Sequence, residues 1–177
     1  MKKRGAYQKA KERSNKLRDI FAGFLAVLVT LIFVWGITEA AVTVSNIDND
    51  TCRSYSGEHT CQLVTKYGKY RSTTYRFSLD NGDKLVVDYA RVTDKEGMER
   101  LDTLRFQYSS FPRLLSGHYR VIALSSADGS TEFVNLQETR AICIEQIWGL
   151  SVILAVWLML WTVVIVIAFL LRRKRRK

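Results

Sequence analysis

The residues that most often carry chemistry are scarce in this chain. Its 177 residues include three cysteines, two histidines and one proline. The histidines, His59 and His118, are too far apart for a His-x3-His ligand pair, and Cys52, Cys61 and Cys143 form no Cys-x2-Cys. The spacings that mark structural zinc are therefore missing. There is no Gly-x-Ser-x-Gly and no Ser-x-x-Lys, so serine acyl chemistry has no signature here. There is no Walker-type phosphate loop and no Gly-x-Gly-x-x-Gly. Charge is missing over two long runs, residues 20–38 and residues 147–171, the second without an ionisable side chain in 25 positions.

Those two runs are what the chain does have. A bilayer core takes about 20 apolar residues in a helix, and both runs reach that length. They predict two transmembrane helices, over residues 20–42 and 147–171, pinning a middle segment, 43–146, at both ends. The basic flanks set the orientation. Residues 1–19 carry eight Lys/Arg against two Asp/Glu, and residues 172–177 are all basic. Short Lys/Arg-rich flanks stay cytoplasmic. The expected topology is a multi-pass cell-membrane protein with a basic cytoplasmic segment at 1–19, a basic cytoplasmic tail at 172–177 and the middle outside. The flanks carry +6 each and residues 39–146 carry −2, which accounts for the formal +10. The high pI of 9.7 is thus a property of the tails and points to anionic lipid headgroups. No aromatic side chain interrupts the C-terminal tail to stack a base, which argues against nucleic acid.

Two processing signals resemble parts of these runs. A cleaved signal peptide would use the small residues Thr38 and Ala40, but the first run exceeds the usual hydrophobic region of about 7–15 residues, so an anchor is expected. A cell-wall sorting signal also ends in a hydrophobic helix and basic residues, but no LPxTG-type motif precedes the second run.

Neither run holds a deep charge, which argues against a pump or transporter. Ala22, Ala26 and Thr30 recur every fourth residue, as do Ser151 and Ala155, a spacing that lets helices pack closely. Trp35 and Trp148 fall where an outer aromatic belt belongs, whereas Trp157 and Trp161 share one face in mid-span and are expected to pack against a helix or lipid.

The middle segment alternates like a sheet. Residues 60–67 are rich in strand formers. Residues 73–79 place Tyr75, Phe77 and Leu79 on one face, and residues 84–89 do the same with Leu85, Val87 and Tyr89. Between them lies Asp80-Asn81-Gly82-Asp83, a strong hairpin signal. A second hairpin joins residues 119–125 to 131–136 through Ala127-Asp128-Gly129. Between the groups, Thr93-Asp94-Lys95-Glu96 fits a capping box with Thr93 as cap, and Met98, Leu101 and Leu104 continue at helical spacing in a helix expected to end by Phe106, with Phe111-Pro112 marking a break. The predicted fold class is therefore a membrane protein with two transmembrane helices flanking a small mainly-β (α+β) extracytoplasmic domain of order β-β-β-α-β-β. That order is similar to an OB-like β-barrel, with its helix between strands three and four.

Basic ends, paired spans and the Phe77–Gly82 hairpin together resemble the small two-pass membrane proteins of Gram-positive bacteria that carry an extracytoplasmic β-domain. The resemblance implies no activity and no cofactor.

Cys52 and Cys61 bracket a Ser/Gly-containing loop in a segment expected outside, where disulfides persist, so a bridge between them is expected. Cys143, just before the second span, is expected to be a buried, inert thiol. A metal reading of Asp48, Asp50, Cys52, Glu58, His59 and Cys61 lacks ligand spacing. Asn49-Asp50-Thr51 matches a glycosylation acceptor, relevant only in a eukaryotic secretory path.

A membrane-anchored cysteine transpeptidase would draw on Cys61, His59, His118 and Arg120, but the sortase pattern TLxTC is absent and the domain is short. Two classes remain. One is a non-enzymatic interaction or accessory protein whose β-domain meets a membrane or extracytoplasmic protein partner through its hairpin tips, Asn81 and Asp128. The other is an extracytoplasmic ligand sensor working through a larger complex.

The orientation is testable directly. A single cysteine at position 6, in a chain freed of its native cysteines, should be shielded from a membrane-impermeant thiol reagent in intact cells. One at position 82 should label, and the reverse pattern would refute the assigned orientation.

Overall fold

The computed structural model describes residues 2–66, 72–113 and 116–174. Tyr67, the end of the first expected strand, and residues 175–177 of the tail lie outside them. Two long helices, α1 (Lys2–Asp48) and α3 (Leu136–Lys174), enclose a mainly antiparallel sheet. Its strands are β1 (Arg53–Lys66), β2 (Ser72–Leu79), β3 (Lys84–Asp88), β4 (Thr103–Pro112), β5 (Tyr119–Ser126) and β6 (Glu132–Val134). A 3-10 turn, Tyr89–Arg91, and a short helix α2 (Lys95–Glu99) sit between β3 and β4. The sheet order is β3-β2-β1-β4-β5-β6, and β3 also pairs with β5 in parallel through Leu85↔Tyr119 and Val86↔Arg120. Strand β1 serves two partners. Its first half, Arg53 to Glu58, pairs with β4, and its second half, His59 to Lys66, pairs with β2.

The expected alternation sets the core. Tyr75, Phe77 and Leu79 of β2, Leu85 and Val87 of β3, Leu104, Phe106 and Tyr108 of β4, and Val121 and Leu124 of β5 are buried together. The aromatic rings meet at their edges, Phe77 with Phe106 at 5.1 Å between centroids, a favoured geometry for their quadrupoles. The β2–β3 hairpin forms where Asn81-Gly82 stands. Gly82 takes the positive φ of 87° that its turn needs, and the Asp83 amide donates to Asn81 Oδ1 at 2.9 Å.

Four expectations need correction. There are six strands, not five, because residues from Thr103, expected to end a helix, form β4. Leu104, Phe106 and Tyr108 are in fact its buried, period-two face. Helix α2 is accordingly short, and its cap is Asp94, whose side chain accepts from the Gly97 amide at 2.9 Å. Thr93 instead donates to main-chain carbonyls of β6. The last strand stops at Val134 because Asn135 accepts from the amides of Gln137 and Glu138 and starts α3. Tyr89, expected to follow Val87 inward, is exposed in the 3-10 turn.

Both end helices are long and apolar enough to cross a membrane, Ile20–Asp48 and Leu136–Leu171. They are antiparallel, since contacts pair rising numbers in α1 with falling numbers in α3. Trp157 Nε1 donates to Thr30 at 3.3 Å, a Cβ on Gly36 would sit 3.0 Å from Leu150, and Arg140 pairs with Asp48 at 2.7 Å. Ala22, Ala26 and Thr30 are half-buried in this seam, as is Ser151. Ala155 is exposed, and Leu154 takes the inner position expected for it. Trp157 and Trp161 pack edge to face at 6.0 Å. The helices also run without a break into the β-domain: α3 begins 11 residues before the expected span, and α1 continues to Asp48. There α1 closes with Asp50 at φ 52° and the Thr51 amide donating to the Asn46 carbonyl, a left-handed helix stop.

Truncating the central ring tests this core. Phe106→Ala should cost about 3–5 kcal/mol, read as a lower melting temperature of the detergent-solubilised chain. Phe24→Ala, on the outward side of α1, should leave that transition in place.

Candidate functional site

Two polar features stand out where the elements meet. The first is where the helices join the sheet. Strand β5 pairs Gln107↔Ala123 and then Tyr108↔Val121, so Ile122 is an extra residue bulged out of the ladder. Val121 and Leu124 face the core, while Arg120 points to the helices. Its guanidinium grips the Glu39 carboxylate of α1 with both prongs, Nε to Oε1 at 2.7 Å and Nη2 to Oε2 at 3.0 Å. Nη2 also donates to Gln146 Oε1 at 2.8 Å, and Nη1 to Cys143 Sγ at 3.2 Å, both on α3. Both charged side chains are buried, 7% and 5% exposed. One side chain therefore holds three elements. The planar fork of arginine can do this; lysine, a point charge, cannot.

Around it lies a ring of further polar ties. Thr43 of α1 donates to Ser109 of β4 at 3.1 Å, and Asn46 to Ser110 at 3.0 Å. Thr139 of α3 donates to the Ile122 carbonyl at 2.6 Å, satisfying the bulged residue, and also accepts from Arg91. Farther along α1, Trp35 packs on Phe111 at 4.9 Å, so the end of β4 reaches the level of Trp35.

The second feature is a groove of about 500 Å³ on the outside of the sheet. Lys66, Arg76 and Arg113 line it together with His118, Thr74 and Asp88. Three cations thus face one carboxylate, and none of the three forms an ion pair among the described residues. Arg76 and Arg113 are half-buried. A tight turn orients the fourth group. Arg113 N donates to the His118 carbonyl at 2.9 Å, Gly117 takes φ 64°, and His118 Nδ1 lies 2.6 Å from the Ser116 carbonyl. With Nδ1 as the donor in that contact, Nε2 is left to face a ligand.

The expected disulfide is not formed. Cys52 and Cys61 are both free thiols, because the residues between them run along one continuous strand, β1. At ~3.3 Å per residue that separates them far beyond the ~7 Å Cα spacing a bridge spans. Desolvation pushes the Cys61 thiol up to about 11, with the Glu99 carboxylate adding to it. Burial lowers the His59 imidazole, whose ring rests edge-on against Phe77 and Phe106. The acidic and Cys/His residues of the 48–61 segment are not gathered. Asp48 is engaged by Arg140, and no three such side chains converge among the described residues. Cys143 is buried, as expected, and accepts from Arg120. Arg120 is thus committed to Glu39, not to Cys61. Asn81 and Asp128 do sit at exposed turn tips. Their side chains serve their own turns, however: the Ser126 hydroxyl, with the amide and hydroxyl of Ser130, holds the Asp128 carboxyl down at about 2.

Sequence reasoning missed both features. Glu39 and Arg120 are 81 residues apart, and Glu39 reads simply as the polar end of a span. Lys66, Arg76 and Arg113 belong to three different strands or their ends. A lone glutamate at the lip of an apolar run was the one available signal. No family model, curated protein or solved structure matches the chain.

Breaking the buried pair should be costly and non-additive. Arg120→Met alone, which leaves Glu39 buried without a partner, should cost about 3–5 kcal/mol. Adding Glu39→Leu should recover most of that loss, as measured by thermal unfolding of the full chain. Equal, additive losses would show that the pair does not act as a unit.

Proposed function

We propose that this chain is a membrane-anchored, non-enzymatic accessory protein that presents an OB-like β-domain outside the cytoplasm to a membrane or extracytoplasmic protein partner. On this reading it belongs with the small two-pass membrane proteins of Gram-positive bacteria, with both termini inside and the basic flanks on anionic headgroups. The observation that carries it is the Arg120 junction. A display module needs a fixed height and orientation, and a buried three-way tie between two unbroken helices and the sheet provides both. The OB-like assignment draws on the pairings β1–β2–β3–β5–β4–β1, which return to their starting strand, with a helix between β3 and β4. The non-enzymatic part draws on a poorly nucleophilic Cys61, a thiolate being disfavoured there, and on the commitment of Arg120 elsewhere. The cationic groove favours one second reading, a ligand sensor that reports through a larger membrane complex.

A photo-crosslinking residue at Ala127 or Asn81 in the full chain, irradiated in native membranes, should capture a discrete protein adduct identified by mass spectrometry. One at Phe24 should give lipid adducts instead. Absence of any protein adduct from both hairpin tips, and from a third probe at Gln62, would overturn the docking reading.

A further inference from the structure

We propose that the groove between Lys66, Arg76, Arg113 and His118 is a binding site for a phosphate group, carried by a lipid headgroup or free in solution. The geometry on which this rests is local. Two half-buried guanidiniums and an ammonium converge on a groove of about 500 Å³ with no carboxylate paired to any of them among the described residues. Both arginines stay partly open to solvent and have no protein acceptor among the described residues, so their donors are free for a ligand. The same chain shows what a satisfied arginine looks like at Arg120, every nitrogen of which is bonded. Around the cations stand neutral donors suited to an oxyanion. The Thr74 hydroxyl lines the groove, and the ring of His118 is fixed by Ser116 through Nδ1. Guanidinium forks and hydroxyls together match the several oxygens of a phosphate better than the two of a carboxylate. Asp88, the one acid in the groove, repels excess negative charge. That favours a phosphodiester or monoanion over a polyanion.

The lipid source follows from placement and rests on the membrane-mounted reading above. Phe111 packs on Trp35, and Arg113 follows Phe111 by two residues. The mouth of the groove is then at the depth of the outer headgroups, where phosphodiesters are the prevailing anions. A site built only for bulk phosphate would have no need of that position.

The test uses the full chain in detergent, titrated calorimetrically with short-chain phosphatidylglycerol, inorganic phosphate and octanoate. Phosphatidylglycerol should bind, and the double variant R76Q/R113Q should weaken it by about tenfold or more, as expected for two charge-assisted contacts. R76K/R113K, which keeps the charge but loses the forks, should bind more weakly than the parent and more tightly than R76Q/R113Q. R172Q/R173Q, in the basic tail, should leave the affinity unchanged and so exclude the tail as the site. Competition by inorganic phosphate assigns the site to the phosphate itself; binding of the lipid without such competition assigns it to the whole headgroup. Unchanged affinity in R76Q/R113Q would overturn the proposal, as would octanoate binding as tightly as phosphatidylglycerol. Should that variant lose its cooperative melt, K66Q, at an exposed position, carries the same expectation in weaker form. Because the phosphate arm needs no bilayer, an error in the membrane topology would abolish only the lipid preference, not phosphate binding.

Discussion

Everything in this molecule is organised around one buried guanidinium. Arg120 lies where a sheet strand and two helices converge, and it closes the polar needs of all three. A charge in that position is expensive to desolvate, and an apolar trio of similar volume could be as stable. What the ion pair adds is direction. Two prongs on one carboxylate, a third contact to an amide oxygen and a fourth to a sulfur fix the rotation of each helix about its own axis. Apolar packing alone would let the helices slip by a turn.

The geometry that makes this possible is the bulge at Ile122. Along a regular strand, alternate residues face one way, so a strand buried on one side shows its polar half to water. One extra residue in β5 resets the alternation and brings the Ile122 carbonyl to Thr139 and the Arg120 side chain to Glu39. β5 is consequently buried on both faces: Val121 and Leu124 inside the domain, Arg120 and Ile122 under the helices. The sheet thereby serves as both the core of the domain and the socket for its two shafts.

How much of this can be read from the chain depends on the range of the interactions. Strand β2 was legible because Tyr75, Phe77 and Leu79 carry their burial in local alternation. The end helices were legible because lipid-compatible runs need no partner to be recognised. Strand β4 was not, since Met98, Leu101 and Leu104 satisfy a helical spacing just where Leu104, Phe106 and Tyr108 satisfy an extended one, and only β1 and β5 on either side decide between them. The first half of β1 was hidden by its polar composition and Gly57, and that concealment produced the mistaken loop between Cys52 and Cys61. The Arg120 junction and the cationic groove were illegible for a stronger reason. Each is assembled from residues whose neighbours in sequence say nothing about their neighbours in space.

The closing parallel pair, β3 with β5, has a consequence beyond the shape of the domain. Each strand from β1 to β5 pairs with at least two others, and β6, at the end of the strand order, is three residues long. An open strand edge invites templated pairing between copies. Each half of β1 is paired on one side only, Arg53 to Glu58 with β4 and His59 to Lys66 with β2. Recognition by strand addition is thus confined to interrupted, one-sided stretches of β1 and to the short β6. Copies brought together would meet one another through broken edges rather than through one continuous strand.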